Sequence, residues 1–386
     1  MKKFTKAASV LLAMSMVASA FAGCGSSASN DTFKIGEIGP TTGGAAVYGI
    51  AAMNGAQIAV DEINAAGGIN GYQIEYKAED DAHDAEKSVN AYNSLKDWGM
   101  QILCGTVTST PCAAVATLTS EDKMFEITPS ASSTSVVEGN TNVFQVCFTD
   151  PNQGVASADY IAENFADATV GIIYNSSEVY STGIHDTFVS EANKLGLNIA
   201  ADEAFTNDSA TDFTTQLQKC QSAGVDLLFY PYYYTEASII LTEIDTMGYD
   251  VTVFGVDGMD GILSVEGFDT ALAEGVYLLT PFSADSTEEK SAAFVAKYVE
   301  LYGETPNQFA ADAYDVVYVI KAALEAANVT PDMSNEEICA AACEAMTSLS
   351  YDGITGSGMT WAATGEVSKA PMAVIIKDGA YASVNQ

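Results

Sequence analysis

Short hydrophobic runs alternate with longer amphipathic stretches along this chain from residue 33 onward. The short runs predict β-strands and the longer stretches predict helices, because apolar side chains repeat every second residue in a strand and about every 3.6 residues in a helix. The predicted strands are 33–38, 72–78, 100–104, 124–127, 169–174, 197–204, 226–230 and 251–256, and the predicted helices are 45–66, 84–98, 112–122, 152–164, 181–195, 211–223 and 235–247. The cycle starts again after Asp150.

This alternation predicts an α/β fold, because parallel strands joined by helices form a sheet that is covered on both faces. Two successive runs predict two doubly wound parallel-sheet lobes. Ligands of such sheets bind at the carboxyl ends of the strands. The loops at those ends are 39–44, 105–111, 128–135, 175–181, 231–235 and 257–261, and they are rich in Ser, Thr, Gly and Tyr. We expect the ligand site among them.

The first residues have the pattern of an export signal. Three lysines precede an apolar stretch at 7–20, and a run of small residues then leads to Cys24. The apolar stretch is too short to span a membrane as a mature helix. The ending Phe-Ala-Gly-Cys resembles the lipobox of bacterial lipoproteins, in which the cysteine is lipidated and becomes the new N-terminus. Residues 1–23 are therefore predicted as a lipoprotein signal peptide, Cys24 as the lipidation site and 24–30 as a flexible tether; the alternative is a plain secretory signal.

The charge of the chain excludes several classes of partner. It has 15 basic and 51 acidic residues, a formal net charge of −36, and all of its basic residues are lysine. A nucleic-acid partner needs a basic surface, and clamped phosphate groups usually need arginine. With two histidines in the chain, a histidine-based metal site is also disfavoured. No nucleic acid, metal or cofactor is predicted.

We find no catalytic motif in the sequence. The loop after the first strand lacks the G-x-G-x-x-G spacing, and neither a phosphate-binding P-loop nor a G-x-S-x-G nucleophile motif occurs. His83 is interpreted as an exposed residue at a helix start and His185 as a surface residue. The pair Asp80-Asp81 could form a metal or acid–base site, but adjacent acids in such a loop more often cap a helix. The protein is not expected to be an enzyme.

Six cysteines follow Cys24, so an exported chain could form three disulfides. They are Cys104, Cys112, Cys147, Cys220, Cys339 and Cys343. The first, third and fourth lie in apolar or helical patterns, and the last two are four residues apart on a predicted helix, which is a poor geometry for a bridge. The pattern favours free buried thiols.

Several motifs resemble a known family of solute receptors. The most specific is the run Asn-Ala-Ala-Gly-Gly-Ile-Asn-Gly at 64–71, which follows Gly-Pro and Thr-Gly motifs at 39–43. Further matches lie at 79–81, 128–132, 150–154, 212–213, 226–236 and 254–258. Together they are very similar to type I periplasmic binding proteins, and above all to the leucine/isoleucine/valine-binding branch that serves ABC importers. The resemblance covers about residues 31–386.

The resemblance implies two lobes that close on a ligand and are joined by three crossovers, near Asp150, Thr280 and Asp352. The first lobe would comprise 31–149 and 281–352, and the second 150–280 and 353–386. It also implies a monomeric receptor on the extracytoplasmic face of the membrane, held there by the lipid at Cys24. Its partners would be an amino-acid ligand and an ABC permease.

The resemblance also implies a ligand-binding role for seven residues. Ser109 would grip the ligand carboxylate with its hydroxyl and backbone N–H. Ser130 would offer a carbonyl to the ammonium, and Ser132, where the family usually has threonine, would touch both groups. The remaining four are Tyr48 over the ligand side chain, Tyr180 and Tyr233 closing from the second lobe, and Asp257 pairing with the α-ammonium.

Elementary chemistry leads to the same division of roles. A zwitterionic amino acid needs one site for an anion and one for a cation. Without arginine, the plausible carboxylate partners are neutral donors such as Ser109 and Ser132 with loop N–H groups, while Asp257 balances the ammonium. The alternatives stay open at this point: Asp257 as a solvated loop residue, the serines as turn caps, and the tyrosines as packing residues.

The sequence departs from the family at several positions. Relatives often carry a disulfide between the loops after the second and third strands, where this chain has His83 and Thr108, so we expect a more mobile rim on the first lobe. Ser181 replaces a usual glycine, and Pro231 and Tyr232 replace a Gly-Gly pair. Bulkier residues there would reshape the pocket. The ligand is therefore predicted to be a neutral amino acid, branched-chain or otherwise aliphatic; the alternative is an amide, urea or an aromatic acid.

Overall fold

Up to residue 256, the strands and α-helices follow each other in the order that the sequence pattern predicts, apart from one short additional strand at 143–145. The computed structural model describes residues 32–384. The strands are β1 (Thr32–Gly39), β2 (Gln73–Asp80), β3 (Ile102–Gly105), β4 (Phe125–Thr128), β5 (Val143–Gln145), β6 (Thr169–Asn175), β7 (Asn198–Phe205), β8 (Leu227–Tyr230), β9 (Thr252–Gly255), β10 (Tyr277–Thr280), β11 (Ser350–Tyr351), β12 (Met359–Thr360), β13 (Met372–Lys377) and β14 (Ala380–Ser383). The helices are α1 (Ala46–Ala65), α2 (Ala85–Trp98), α3 (Ser109–Asp122), α4 (Asp150–Asn164), α5 (Val179–Leu195), α6 (Thr214–Ser222), α7 (Tyr234–Met247), α8 (Glu289–Tyr302), α9 (Gln308–Ala326) and α10 (Asn335–Met346).

The strands form two main sheets, which confirms the predicted α/β fold. The first has the order β2-β1-β3-β4-β5 and is parallel throughout. The second has the order β14-β13-β10-β9-β8-β6-β7 and is parallel from β10 to β7. We call the first sheet with its helices the first lobe and the second sheet with α4–α7 the second lobe.

The second sheet is not fully parallel, contrary to the prediction. Strand β13 runs antiparallel to β10, and β14 runs antiparallel to β13. The last two strands are joined by Asp378 and Gly379, both of which have positive φ angles, 53° and 74°. Two such residues form the tight turn whose twist matches a β-hairpin, and Asp-Gly is a preferred sequence for it.

The chain returns to the first lobe after β10. There α8 and α9 pack against α1. Gly55 of α1 allows the close approach, because a Cβ atom at that position would lie 1.9 Å from the carbonyl oxygen of Ala310. A larger residue at 55 would push the two helices apart.

The segment 353–369, which the resemblance assigned to the second lobe, packs against the first. The Trp361 indole N–H donates to the Gln145 carbonyl at 2.8 Å, and the Gln145 N–H donates to Gly365 at 2.9 Å. Asp315 of α9 accepts from the N–H groups of Ile354 and Thr355. The last passage between the sheets therefore lies near residue 370 rather than at 352.

Several helices begin earlier than the hydrophobic pattern predicts. Helix α3 begins at Ser109 rather than at 112, because Thr108 is the last extended residue before it. Helices α5 and α7 likewise begin at Val179 and Tyr234. These shifts place predicted loop residues on the first turns of helices. Strand β5, with three residues, was not predicted.

His185 is buried, not at the surface as the sequence suggested. Its ring stacks on Tyr174 at 3.8 Å, and its two nitrogens face Asp186 and Asp202 at 2.8 and 3.1 Å. Burial lowers the pKa of His185, but hydrogen bonds with Asp202 and Asp186 outweigh that effect and raise it. The apolar neighbours along α5 were not a sufficient guide, because the partner of this side chain comes from β7.

Five of the six cysteines that follow Cys24 are buried, and Cys343 is half-buried. The sulfur atoms of Cys339 and Cys343 lie 3.9 Å apart on the same helix. Within residues 32–384, no helix combines the length and the apolar composition that crossing a membrane requires. The predicted signal peptide, Cys24 and the tether lie outside the described residues.

Candidate ligand-binding site

Most of the predicted site residues meet in one cavity between the lobes, at the carboxyl ends of the strands. Its walls are Tyr48, Val107, Thr108, Ser109, Ser130, Tyr180, Tyr233, Asp257, Gly258 and Phe309. Six of the seven residues proposed from the sequence are in this set, and Ser132 is not. The cavity has a volume of ≈ 10 Å³, about the space that one water needs. The lobes are therefore closed, and an amino acid could enter only if they moved apart.

The first lobe contributes the N-terminus of α3. Ser109 is the first residue of this helix, and its side chain is 2 % exposed. Its hydroxyl accepts a hydrogen bond from the Ser133 N–H at 3.2 Å, which joins the loops after β3 and β4. The first N–H groups of a helix have no partner within it and carry the positive end of the helix dipole. An anionic group could be bound here without arginine.

The two remaining predicted serines differ in position. Ser130 lines the cavity, and its hydroxyl donates to the Val107 carbonyl at 2.6 Å. Ser132 is fully buried behind the wall, and its carbonyl accepts from the Asp150 N–H at 3.0 Å. Its hydroxyl has no hydrogen-bond partner among the described residues. In this closed arrangement Ser132 supports the wall and does not form it.

The second lobe contributes Asp257, which begins a short 3-10 turn after β9. The side chain is 4 % exposed and accepts a hydrogen bond from the Tyr180 hydroxyl. The backbone is fixed on both sides, because the Asp257 N–H donates to Gln153 at 3.2 Å and its carbonyl accepts from Gln308 at 2.8 Å. These bonds hold the carboxyl group in place.

The carboxyl group of Asp257 lacks a cationic partner. Burial raises its pKa to about 7, and the hydrogen bond from Tyr180 offsets part of that rise. None of the lysines or histidines in residues 32–384 forms an ion pair with it. A buried carboxylate without a countercharge is costly, and a ligand cation would remove that cost.

Four aromatic rings surround this carboxyl group. Tyr48 lies 4.1 Å from Phe309 and 5.2 Å from Tyr233, measured between ring centroids, and Tyr180 lies 5.1 Å from Tyr233. The Tyr48 hydroxyl donates to the Gly258 carbonyl, so a first-lobe side chain bonds to the second lobe. The Gly258 N–H donates to the Tyr180 hydroxyl at 2.9 Å. The rings exclude water and strengthen the electrostatic interactions within the cavity.

Sequence reasoning missed four residues of the wall: Val107, Thr108, Gly258 and Phe309. Thr108 and Gly258 are immediate neighbours of predicted residues, and Val107 lies two positions before Ser109. Phe309 comes from the start of α9, where the Asn307 side chain caps the helix by accepting from the Ala310 N–H at 3.2 Å. The cap and the following aromatic residue were visible in the sequence, but they do not show that α9 begins at the cavity.

Asp150 is a further buried acid near the site. It is the first residue of α4, its side chain is 1 % exposed, and neither carboxyl oxygen has a hydrogen-bond partner among the described residues. Burial raises its pKa well above the usual range. Burial thus favours the neutral form of this carboxyl group over the charged one.

The expectations for His83 and the acidic pair next to it need correction. The His83 side chain is 20 % exposed, not free in solvent, and its Nδ1 lies 2.9 Å from the Thr108 hydroxyl. Asp80 accepts from the N–H groups of Thr41 and Ala82, and the cap of α2 is Asp84, not the pair. No group of three or more potential metal-ligating side chains occurs in the described part of the chain.

Comparisons with known proteins place this geometry in context. A family model of periplasmic binding proteins matches residues 32–380. The Leu/Ile/Val-binding protein BraC3 of Rhizobium johnstonii is 30% identical over 77% of this chain and 80% of its own length. The leucine-, isoleucine-, valine-, threonine- and alanine-binding protein of Pseudomonas aeruginosa is 29% identical over 85% of this chain and 86% of its own length.

A solved structure shows the same architecture. It is the branched-chain amino acid transporter substrate-binding protein LivJ from Streptococcus pneumoniae, in complex with isoleucine. The two structures match with a TM-score of 0.82 and 29% sequence identity, and the match covers 91% of this chain and 98% of the other.

Proposed function

Because this chain belongs to the type I periplasmic binding proteins, a family of solute receptors of ABC transporters and not of enzymes, we propose that it captures a neutral α-amino acid for an ABC importer. The proposed amino acid is aliphatic, and the branched-chain amino acids are the first candidates. It binds between the two lobes, and the closed form is what the permease recognises.

The observation that carries this proposal is the environment of Asp257. Its carboxyl group is buried and receives only neutral hydrogen bonds within residues 32–384, so this part of the chain provides no charge to balance it. The N-terminus of α3, with Ser109, lines the same cavity and favours an anion. A zwitterionic amino acid carries an ammonium group and a carboxylate a short distance apart. Its ammonium group can therefore pair with Asp257 while its carboxylate binds at the N-terminus of α3.

The rest of the cavity favours an apolar side chain. Tyr48, Val107 and Phe309 line it, and none of them presents a charged group. Two relatives are named for binding leucine, isoleucine and valine, and the LivJ complex contains isoleucine. We therefore assign the aromatic and aliphatic wall to the ligand side chain.

Closure explains how binding becomes a signal. The ligand contacts proposed here come from both lobes, so a bound amino acid stabilises a closed arrangement, with the cavity widened to contain it, relative to an open one. The bond from Tyr48 to Gly258 forms only when the lobes meet. No chemical step is needed, and the change in shape is the output.

We also propose that the mature protein is anchored by a lipid at Cys24 on the extracytoplasmic face of the membrane. The lipobox-like ending of the signal and the polar stretch at 24–30 support this assignment. Mass spectrometry of the mature N-terminus tests it: a diacylated or triacylated Cys24 is expected, and an unmodified N-terminus would contradict the anchor. The receptor assignment does not depend on this result.

A thermal-shift screen tests the ligand class. The chain from residue 25 onward is heated with each common amino acid, and with urea, short amides and benzoates. A ligand that binds only the folded state adds about 2.7 kcal/mol at one hundred times its dissociation constant. A shift with leucine, isoleucine, valine or another neutral amino acid is expected. If no amino acid shifts the unfolding temperature, the proposed ligand class is wrong.

The same screen covers a second candidate, an amide, urea or an aromatic acid. The observation in its favour is that burial raises the pKa of Asp257 to about 7. The protonated carboxyl could then donate a hydrogen bond to a neutral carbonyl. A response to these compounds alone would select this candidate and leave the fold assignment intact.

A further inference from the structure

A polar contact joins the two lobes at the rim of the cleft, outside the cavity wall. Glu178 precedes α5 in the second lobe and is 5 % exposed. Its Oε2 accepts a hydrogen bond from the Thr110 hydroxyl of α3, in the first lobe, at 2.6 Å. Its Oε1 lies 3.8 Å from Nε2 of His83, also in the first lobe. One carboxylate thus contacts two first-lobe side chains.

The second-lobe half of this contact is held in place without the first lobe. The Asn207 amide donates to Oε1 of Glu178 at 2.8 Å, and Asn207 itself accepts from Asn175 at 2.6 Å. These three residues belong to the same lobe. Glu178 would therefore keep its orientation when the lobes separate, which lowers the entropic cost of re-forming the contact.

The first-lobe half is fixed in the same way. Nδ1 of His83 lies 2.9 Å from the Thr108 hydroxyl, and the His83 N–H donates to Asp81 at 2.9 Å. Thr110 lies on the first turn of α3. Both partners of Glu178 are thus attached to rigid elements of the first lobe, and closure brings the two prepared halves together.

Glu178 is charged in the closed state. Burial pushes its pKa up, but the nearby His83 side chain and the hydrogen bonds from Thr110 and Asn207 more than offset this effect, so the pKa falls below its usual value. A hydrogen bond to a charged group is stronger than one between neutral groups. The contact also lies next to the ligand wall, because the His83 ring is 5.5 Å from that of Tyr233.

We propose that Glu178, Thr110 and His83 form a rim latch that holds the lobes closed and sets how long the ligand stays bound. The latch residues lie outside the cavity wall and act through the position of the lobes. The inference rests on the proposed function only in that closure traps a ligand.

Thr110→Val tests the latch with the smallest change, because valine keeps the shape and removes only the hydroxyl. With L-leucine and L-isoleucine as probes in stopped-flow measurements, we expect dissociation to be about five- to fiftyfold faster. The association rate should change less than twofold. The matched control is Thr187→Val, because the Thr187 hydroxyl lies on the same helix and donates to the carbonyls of Gly183 and Ile184, not to Glu178. It should behave like the unsubstituted chain.

A second pair of variants separates the latch from a general loss of stability. Glu178→Ala should accelerate dissociation at least as much as Thr110→Val. The dissociation rate of Glu178→Gln should lie between those of Glu178→Ala and the unsubstituted chain. The double variant Thr110→Val/Glu178→Ala should dissociate no faster than Glu178→Ala alone, because both changes remove the same contact. Additive effects of the two substitutions would overturn the proposal.

Small-angle scattering of the ligand-free proteins makes the test independent of the ligand. Loss of the latch should open the lobes, so Thr110→Val should have a larger radius of gyration than Thr187→Val. If neither amino acid binds but this difference is present, the proposed ligand fails and the latch stands. If the radii are equal and dissociation is unchanged, the latch is wrong.

Discussion

Two buried aspartates near the junction of the lobes have opposite electrostatic environments. Asp312 of α9 forms an ion pair with Lys369 at 2.6 Å, and both side chains are almost completely buried. The Lys369 ammonium also donates to the Val146 carbonyl and to Thr355. Asp257 is equally buried, but its hydrogen bonds come from neutral groups only.

The difference indicates which charge belongs to the fold and which to the ligand. Of the 12 lysines within residues 32–384, one, Lys369, is buried; it lies beside Asp312 and also contacts Val146. Leaving Asp257 without a cation costs stability in the ligand-free protein, and a ligand ammonium would recover it. Of these two aspartates, the one without a cationic partner lines the cavity, and the paired one does not.

The largest expected effect comes from breaking the ion pair between Asp312 and Lys369. Lys369→Met leaves Asp312 buried without its countercharge, and we expect the free energy of unfolding to fall by about 3–5 kcal/mol. Urea denaturation measures it. Lys297→Met is the matched control, because Lys297 pairs with Glu300 on the surface at 3.1 Å, and such pairs contribute about 0–1 kcal/mol. Equal losses in both variants would contradict the comparison.

Asp257→Asn removes the charge of the unpaired aspartate and should leave the fold intact. We expect ligand binding to weaken by about 2–5 kcal/mol, because the ammonium would then be buried without a countercharge. The unfolding free energy of the ligand-free protein at pH 8 should stay the same or rise. Calorimetric titration and urea denaturation measure the two quantities; normal binding by Asp257→Asn would show that the ammonium assignment is wrong.

The pH dependence of ligand affinity tests the role of Asp257 in the unsubstituted protein. Since burial raises the pKa of Asp257 to about 7, binding of an ammonium at lower pH must release a proton. Affinity should rise with pH up to that value, by at most about tenfold per unit, and then level off. Asp257→Asn should remove this dependence; an unchanged profile in that variant would point to another group.

The stability of the ligand-free protein should change in the opposite direction. A carboxyl group with a raised pKa holds its proton in the folded state and loses it in the unfolded one. Its contribution to stability therefore falls as the pH rises from 3.8 to about 7. Urea denaturation of the unsubstituted chain and of Asp257→Asn across this range isolates the contribution, which only the unsubstituted chain should show.

The smallest effect concerns the hydrogen bond that orients Asp257. Tyr180→Phe removes the donor to its carboxylate and the acceptor of the Gly258 N–H. We expect binding to weaken by about 1–3 kcal/mol, as measured by calorimetry. Tyr174→Phe serves as the control, because Tyr174 stacks on His185 away from the cavity. A loss of the same size in both variants would indicate a nonspecific effect.

The sequence predicted the chemistry of individual loops better than the contacts between distant segments. Ser109 and Asp257 follow strands directly, and parallel strands bring such loops to one edge. Phe309 reaches the cavity from a helix that returns from the second lobe, and no local pattern encodes that path. The buried position of His185 was missed for the same reason, since Asp202 lies on another element.

The position of Ser132 could not be predicted from the sequence for a different reason. It follows β4 as Ser130 does, and the spacing alone cannot show that its carbonyl is bonded to the Asp150 N–H instead of facing the cavity. The segment 353–369 was assigned to the second lobe by resemblance, and the Trp361 contact with Gln145 shows where it packs. In both cases the deciding hydrogen bond is made with a residue outside the local segment.

The most direct test of the account compares one ligand with and without its ammonium group. Calorimetry would measure the amino acid that stabilises the protein most, and its des-amino analogue, against the unsubstituted chain and Asp257→Asn. The account predicts that the unsubstituted chain strongly prefers the amino acid and that Asp257→Asn loses most of this preference. Equal affinity of the unsubstituted chain for both compounds would contradict it, because the buried carboxylate would then have no role in recognising the ligand.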